Sequence, residues 1–531
     1  MNKIDCLVIG HYETLIESDV KMSKSMGSKS CTYKELNYSY LKIDERAHAI
    51  SDIFNLLSDD NKNSLNTGDT FSAVVAYLCT FLKRNNISCA YVNSLRANIE
   101  QFNKYMADND ILTIAITTTF YVSFEPIKEI IDLIRNANRK VKIILGGPFI
   151  ANAFRKYSKD EFNDILELLG ADYYIHSSQG EAALVNLINA IKFNLNVKDV
   201  ANVYYSNHNE YCISKYIDED NNLNDNFVDW NYFKDDIKHK IISMRTAISC
   251  PYSCSFCAYP IHSGKYRMMG IDKIEQELNI LEGRVNRINF IDDTFNIPAE
   301  RFKSILKMMI RQKYHFKWHS YLRCQYIDEE TIGLMKESGC EGVFLGIESG
   351  NDDILMQMNK SAKIEKYQQG LNLLNKYDII SYASFIIGFP GETPKTVEDT
   401  INFIETFKPT FYRANLWFCD TQTPIYDKRS MFSLEGAQYE WTHNTMDSNA
   451  ASELVKGTFL KVKNSTWLPL YNFDFQGIFH LLERGMSIEN IKEFLGAFNE
   501  GLKEKLIFGE SKNLSKDLVL KLKRGVLNNL N

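Results

Sequence analysis

Short apolar runs alternate with amphipathic stretches over most of the chain. In the first third, runs at 3–9, 89–92, 112–117, 142–145 and 172–175 have the length of buried strands. Helical periodicity lies between them at 71–84, 125–137 and 181–191, and also at 46–57, after a polar, irregular stretch to residue 41. This alternation predicts a doubly wound parallel sheet, in which ligands bind beyond the carboxyl ends of the strands. Residues 201–214 alternate like a hairpin, and the acidic, Asn-rich 218–229 reads as an exposed linker.

A second alternation begins at a strand over 241–248. Strands follow at 287–291, 316–322, 342–345, 381–387 and 411–417, with helices at 271–282, 301–312, 329–338, 366–376 and 397–407. Six such repeats predict a partial β/α barrel, with polar residues at the strand carboxyl ends on its active face. Beyond residue 420 the pattern stops. Aromatic-rich stretches at 439–447 and 467–474 lead into helical patterns from 487 to the end. The fold class is α/β: an N-terminal extension and Rossmann-like domain (1–205), a linker (206–240), a partial barrel (241–426) and a mainly helical C-terminal domain (427–531).

At 531 residues the chain is too long for a single core. Its 61 basic and 67 acidic residues give a formal charge of −6, which argues against nucleic acid as the main partner. No apolar run is long enough to span a bilayer, and the first ten residues lack a secretory apolar region, so no membrane partner and a cytoplasmic location are expected. Eleven cysteines scattered through so large a chain do not form a disulfide framework.

Three of those cysteines stand together in Cys250-Pro251-Tyr252-Ser253-Cys254-Ser255-Phe256-Cys257, after the strand at 241–248. Three soft thiolates on a tight loop suit iron–sulfur ligation or zinc. A structural zinc with His262 as fourth ligand is the bland alternative, although zinc sites are more often built from two C-x-x-C hairpins. C-x-x-x-C-x-x-C after a strand, with aromatic Phe256 before the last cysteine, resembles the radical S-adenosylmethionine (SAM) enzymes. The resemblance covers about 241–426. It implies a [4Fe–4S] cluster on Cys250, Cys254 and Cys257, with SAM chelating the remaining iron. It also gives roles to the strand ends: Glu348 in Gly346-Ile347-Glu348-Ser349-Gly350 at the SAM ribose, and Arg323 at the SAM carboxylate. Gly388 and Gly391 in Gly388-Phe389-Pro390-Gly391-Glu392 would shape the adenine side, and Asp292 and Asp293 would face the same mouth. Taken one at a time, each of these is as well explained as a solvated loop residue or helix cap. Cys324, Cys340 and Cys419 read as buried structural thiols.

In the first third, the strand ends carry Thr117 and Thr119, Gly146 and Gly147, and the Gly180-Glu181 turn. Small and hydroxyl side chains let a large flat ligand approach the backbone. The segment resembles the cobalamin-binding domains that precede many radical SAM domains. D-x-H-x-x-G is absent, so the resemblance implies a cobalt without a histidine ligand from that motif. The alternative is a degenerate flavodoxin-like domain that binds nothing.

Tyr439-Glu440-Trp441-Thr442-His443-Asn444-Thr445-Met446-Asp447 and Trp467-Leu468-Pro469-Leu470-Tyr471-Asn472-Phe473-Asp474 read as packing of a helical cap, with His443 and Asp447 as possible substrate contacts. Together with Leu36-Asn37-Tyr38-Ser39-Tyr40, they are similar to the phosphinate P-methyltransferase-like subfamily of cobalamin-dependent radical SAM enzymes. The resemblance implies methyl transfer from SAM through methylcobalamin to an unactivated carbon or a phosphinate phosphorus of a natural-product intermediate. The substrate would be a small molecule, free or carrier-bound, and a reductase such as flavodoxin or ferredoxin would supply electrons. A non-methylating oxidation, cyclisation or rearrangement is the alternative within enzymology. A structural metal-binding or sensor protein is the alternative outside it.

Overall fold

The computed structural model describes residues 2–27, 29–58, 64–66, 69–121, 123–207, 210–509 and 514–527. The chain divides into two compact units. The first comprises Met1–Glu13, Thr70–Ser249 and Tyr259–Asn286, and the second Thr14–Asp69, Cys250–Ala258 and Arg287–Asn531.

The first unit is built on a seven-stranded sheet. Its order is Glu210–Ile213, Val203–Asn207, Tyr173–Ile175, Lys142–Gly146, Asn109–Thr117, Asn2–His11, Cys89–Ser94. The last five of these are parallel, and the hairpin Val203–Asn207/Glu210–Ile213 closes one edge in antiparallel fashion. Cys6, Leu7, Val8 and Ile9 are all fully buried, as expected of a central parallel strand covered on both faces. Helix Glu125–Ala137 buries Ile127, Ile130, Ile131 and Ile134, the stripe that its periodicity predicts. The chain-order reversal falls between Asn2–His11 and Asn109–Thr117, which is where such sheets open a ligand crevice.

The acidic stretch expected to be an exposed linker folds into this unit. Glu219 accepts the backbone N–H groups of Ala182 (2.8 Å) and Ala183 (3.0 Å), so it caps helix Glu181–Lys192. Val228 and Trp230 are buried, and both donate to the Glu277 carboxylate, at 3.0 and 2.8 Å. Composition marked Glu219 as part of a solvated stretch, whereas it accepts from a helix some 36 residues earlier.

The second unit holds six parallel strands in the order Arg287–Phe290, Lys317–Leu322, Cys340–Glu348, Ile380–Ile387, Phe411–Leu416, Thr466–Trp467. Helices Ala299–Gln312, Glu329–Glu337, Ile364–Lys376 and Pro394–Phe407 connect successive strands. The expected long strand at 241–248 is two short ones in the first unit, Ile241–Met244 paired with Thr70–Phe71 and Ala247–Ile248 paired with Arg267–Met268.

Residues 14–69, placed with the N-terminal domain from sequence, pack in the second unit. Helices Ile16–Met26 and Cys31–Leu36, hairpin Tyr40–Ile43/Arg46–Ala49 and helix Ile50–Leu57 replace the irregular stretch and single helix expected there. Lys505 donates to Tyr40 O at 2.6 Å, and Phe54 meets Phe494 edge-on at 6.0 Å. The segment packs Ile16, Val20, Tyr33, Tyr40, Ala47 and Ala49 into one small core with Tyr471 against it, and its polar ties reach more than 400 positions downstream, which local periodicity cannot reveal. The C-terminal part is mainly helical, with helices Ser448–Lys461, Phe475–Glu483, Ile488–Phe508 and Lys516–Leu527.

Candidate functional site

All three motif cysteines lie in the second unit, on a loop without regular structure. The loop is pinned through its backbone and through the Ser255 hydroxyl. Ser255 donates its N–H to Met358 O (2.9 Å) and its hydroxyl to Gln357 O (2.8 Å). Asn359 donates to Ser253 O (2.8 Å), and Ile425 N–H donates to Ser255 O (2.9 Å). Cys254 is buried, while Cys250 and Cys257 are half-buried. Burial pushes the Cys250 thiol up. Among the described residues no three of His, Cys, Asp and Glu converge to hold one metal ion. His262, the fourth ligand that the zinc alternative needs, lies in the first unit, with Nδ1 at 3.5 Å from Arg155 Nη1.

Arg323 stands directly beside this loop. Its guanidinium lies 3.6 Å from the Tyr252 ring centroid, and its Nη2 reaches Cys254 Sγ at 3.5 Å and Lys360 O at 2.7 Å. Its backbone exchanges two 2.9 Å bonds with the Asn296 side chain, which fixes the strand end. Arg323 Nη1 is buried without a partner, so a donor remains for an anionic ligand next to the cysteines. Glu348 sits at the end of Cys340–Glu348 with φ +68°, and its Oε1 pairs with Lys360 Nζ at 2.7 Å. Lys360 Nζ in turn lies 5.6 Å from the centre of the Phe256 ring. Lys360 and Tyr252 escaped the sequence reading; the only signal for Lys360 was a lone lysine after a Met-rich turn.

Gly388 and Gly391 both have positive φ, +95° and +93°, in the turn after Ile380–Ile387. A Cβ on Gly388 would meet Trp441 at 2.6 Å and Ala451 at 2.7 Å, so the turn packs tightly on the cap. His443 Nε2 lies 3.0 Å from Gly388 O and stacks on Trp441, whereas Asp447 caps helix Ser448–Lys461 through Ala450 N–H (2.8 Å). Both are engaged in packing the cap. Asp292 is buried and Asp293 exposed beyond Arg287–Phe290.

Glu392 closes the same turn by accepting the Gly388 N–H, and burial pushes its pKa from 4.5 to about 8. Between those values the folded chain holds a proton that the unfolded chain has released. Stability from this group is therefore full below pH 4.5 and is lost as pH rises to about 8. Glu392→Gln should flatten part of the decline in melting temperature across that window, measured on the metal-free protein. An unchanged slope would mean that the folded carboxyl titrates normally.

In the first unit, Thr117 closes the strand Asn109–Thr117 and Thr119 follows it, beside the point where the sheet order reverses. Thr117 and Thr119 share a 2.8 Å hydroxyl bond, and Thr118 N–H and Oγ1 both donate to Gly146 O, at 2.8 and 2.9 Å. Gly147 has φ +106°, with Thr118 Oγ1 2.9 Å from where a Cβ would stand. Gly180 abuts Ile175, and Glu181 accepts from Asn221 Nδ2. Across the reversal, strand Asn2–His11 ends in His11, a residue the sequence reading passed over. Its Nδ1 is buried and unpartnered, Phe120 and Tyr121 flank its ring, and burial lowers its pKa.

Residues 244–404 match the radical SAM superfamily, and that stretch is a radical SAM domain. The chain is 25% identical over 307 residues to an uncharacterized methyltransferase of Pyrococcus horikoshii, covering 56% of this chain and 64% of that one. It is 31% identical over 238 residues to the bacteriochlorophyllide d C-12(1)-methyltransferase of Chlorobaculum tepidum, covering 43% and 52%. The chain thus spans between half and two thirds of the length of these curated relatives. Its fold is shared with the cobalamin-dependent SAM radical enzyme OxsB, solved with aqua-cobalamin and SAM bound. The TM-score is 0.56 at 14% identity, over 86% of this chain and 76% of that one.

Proposed function

We propose that this chain is a cobalamin-dependent radical SAM methyltransferase, acting on an unactivated carbon or a phosphinate phosphorus of a small-molecule or carrier-bound substrate. The observation that carries the reading is the Cys250–Cys257 loop with the half-satisfied Arg323 guanidinium against it, in a chain that also has a doubly wound sheet. In this reading Cys250, Cys254 and Cys257 hold a [4Fe–4S] cluster. Arg323 Nη1 meets the SAM carboxylate, and Glu348, oriented by Lys360, meets the ribose. Phe256 and the Gly388–Gly391 turn bound the adenine, with Asp292 and Asp293 at the mouth. Thr117, Thr119, Gly146, Gly147, Gly180 and Glu181 form the cobalamin edge. When bound, these cofactors supply a 5′-deoxyadenosyl radical and a methyl donor.

The chain's own residues bind, orient and exclude water from that chemistry. Tyr252 fixes the plane of the Arg323 guanidinium, and the Glu348–Lys360 pair is preorganised because both side chains are about nine-tenths buried. A reductase of the flavodoxin or ferredoxin class would deliver electrons. No helix among the described residues is long and apolar enough to cross a membrane. A cytoplasmic location without membrane or nucleic-acid partners fits that and the charge of −6.

The test is anaerobic purification with cobalamin supplied, followed by iron and cobalt counts, an optical spectrum and product analysis. About four irons and one cobalt per chain, with S-adenosylhomocysteine beside 5′-deoxyadenosine, are expected. Iron without cobalt would reduce the first sheet to a scaffold. 5′-Deoxyadenosine without S-adenosylhomocysteine would favour an oxidation, cyclisation or rearrangement.

A further inference from the structure

The strand Phe411–Leu416 carries one charged residue, Arg413, and its side chain is only 3% exposed. Register places it beside Ser384 of the neighbouring strand. The next residue, Phe385, packs on Phe403 of the outer helix Pro394–Phe407, so Ser384 and Arg413 point to the opposite, inner face of the sheet. Asn415 Nδ2 bonds Ser384 Oγ on that face at 3.2 Å. Tyr382 lies one step before Ser384 on the same face, against Phe344 and Phe475.

The Arg413 guanidinium is held but not filled. Its plane is set by the Trp467 ring at 4.4 Å and the Tyr38 ring at 5.2 Å. Nη2 donates to Glu35 Oε2 at 3.3 Å, a long bond for an ion pair, and Glu35 Oε1 has no partner. Nε and Nη1 are buried without an acceptor. Donors left unmet on a buried cation are costly, and a pair built only for stability would be expected to fill them. An oriented guanidinium with free N–H groups, among a serine, an asparagine and a tyrosine, is built to receive an anion.

We propose that Arg413 anchors a two-oxygen anionic group of the substrate, a carboxylate or a phosphinate, on the inner face of the barrel. This rests on the proposed enzymatic reading only in taking that face as the substrate site. Glu35 neutralises the guanidinium in the free protein and leaves Nε and Nη1 for the incoming anion. Arg413 thereby selects the charged end of the substrate and sets which atom is presented for reaction.

The test is calorimetric titration of the reconstituted full chain with sodium propionate, sodium dimethylphosphinate and neutral propionamide. At least one anion should bind at least about tenfold more tightly than the amide, and that preference should vanish in Arg413→Gln and weaken in Arg413→Lys, which keeps charge but loses the planar fork. Tighter propionate identifies a carboxylate substrate, and tighter dimethylphosphinate a phosphinate. Equal binding of anions and amide by the wild-type protein would overturn the assignment, and this comparison does not depend on how the variants fold. An unchanged anion preference in a folded Arg413→Gln would overturn it too. Substrate-free SAM cleavage by the same wild-type preparation is scored separately. Its absence counts against the radical SAM reading, whereas anion-blind binding with cleavage intact counts against Arg413 alone.

Discussion

Cys254→Ala is expected to abolish 5′-deoxyadenosine formation and to reduce iron after anaerobic reconstitution to a small fraction of the wild-type content. Cys254 is the buried member of the three, with Arg323 Nη2 at 3.5 Å from its sulfur. Alanine removes one of the three proposed cluster ligands and leaves the Arg323 guanidinium facing an apolar methyl group. The loss should therefore be nearly complete rather than graded, and the optical band of the cluster should go with it. Cys324→Ala is the matched control. That thiol is more deeply buried still, abuts Gly370 of an outer helix, and burial raises its pKa far above the usual thiol value. It should keep its iron and its SAM cleavage, at a modest cost in melting temperature from the small cavity. If Cys254→Ala held a full complement of iron, or Cys324→Ala lost it, the ligand assignment would be wrong.

The cysteine loop and the strand ends were legible because their signals are local. Spacing alone places Cys250, Cys254 and Cys257, and an apolar run that stops at a glycine or acid marks where a strand reaches the active face. The partners of those residues were not legible. Glu348 pairs with Lys360 across a short helix and a turn, and no periodicity links them. Arg413 looks like an interruption in an apolar strand until register sets it beside Ser384 and folding brings Glu35 to it from a helix 378 positions earlier. Residues 14–69 looked irregular because their apolar positions, among them Ile16, Val20, Tyr33, Tyr40, Ala47 and Ala49, meet through short helices and a hairpin rather than along one helical or strand period. Glu219 shows the converse error. Composition made it part of a solvated acidic linker, yet it caps a helix of the first sheet. The doubly wound order itself was readable, but the reversal that puts His11 opposite the threonine turn appears only once the strands are placed.

Gly147→Ala should separate the two cofactors. Gly147 has φ +106° and ψ −172°, a region open essentially to glycine alone, where another residue costs about 1–3 kcal/mol. Its added Cβ would stand 2.9 Å from Thr118 Oγ1 and 3.0 Å from Thr118 N. Those atoms cannot yield freely, because Thr118 is tied through both its N–H and its hydroxyl to Gly146 O and through its hydroxyl oxygen to Phe149 N–H. Relief must come from the turn itself, which moves Thr117 and Thr119 away from their places at the sheet edge. A shift costing the ligand only about 1.4 kcal/mol lowers its affinity tenfold. Cobalt bound at limiting cobalamin should therefore fall by about that factor or more, while iron per chain stays at the wild-type level because the cysteines belong to the other unit. Far-UV circular dichroism and the melting curve guard against simple unfolding, since 1–3 kcal/mol lowers the melting temperature without emptying the folded state at 25 °C. A folded Gly147→Ala protein that still took up full cobalt would show that this turn does not touch cobalamin. The first sheet would then need a different ligand edge or a different ligand.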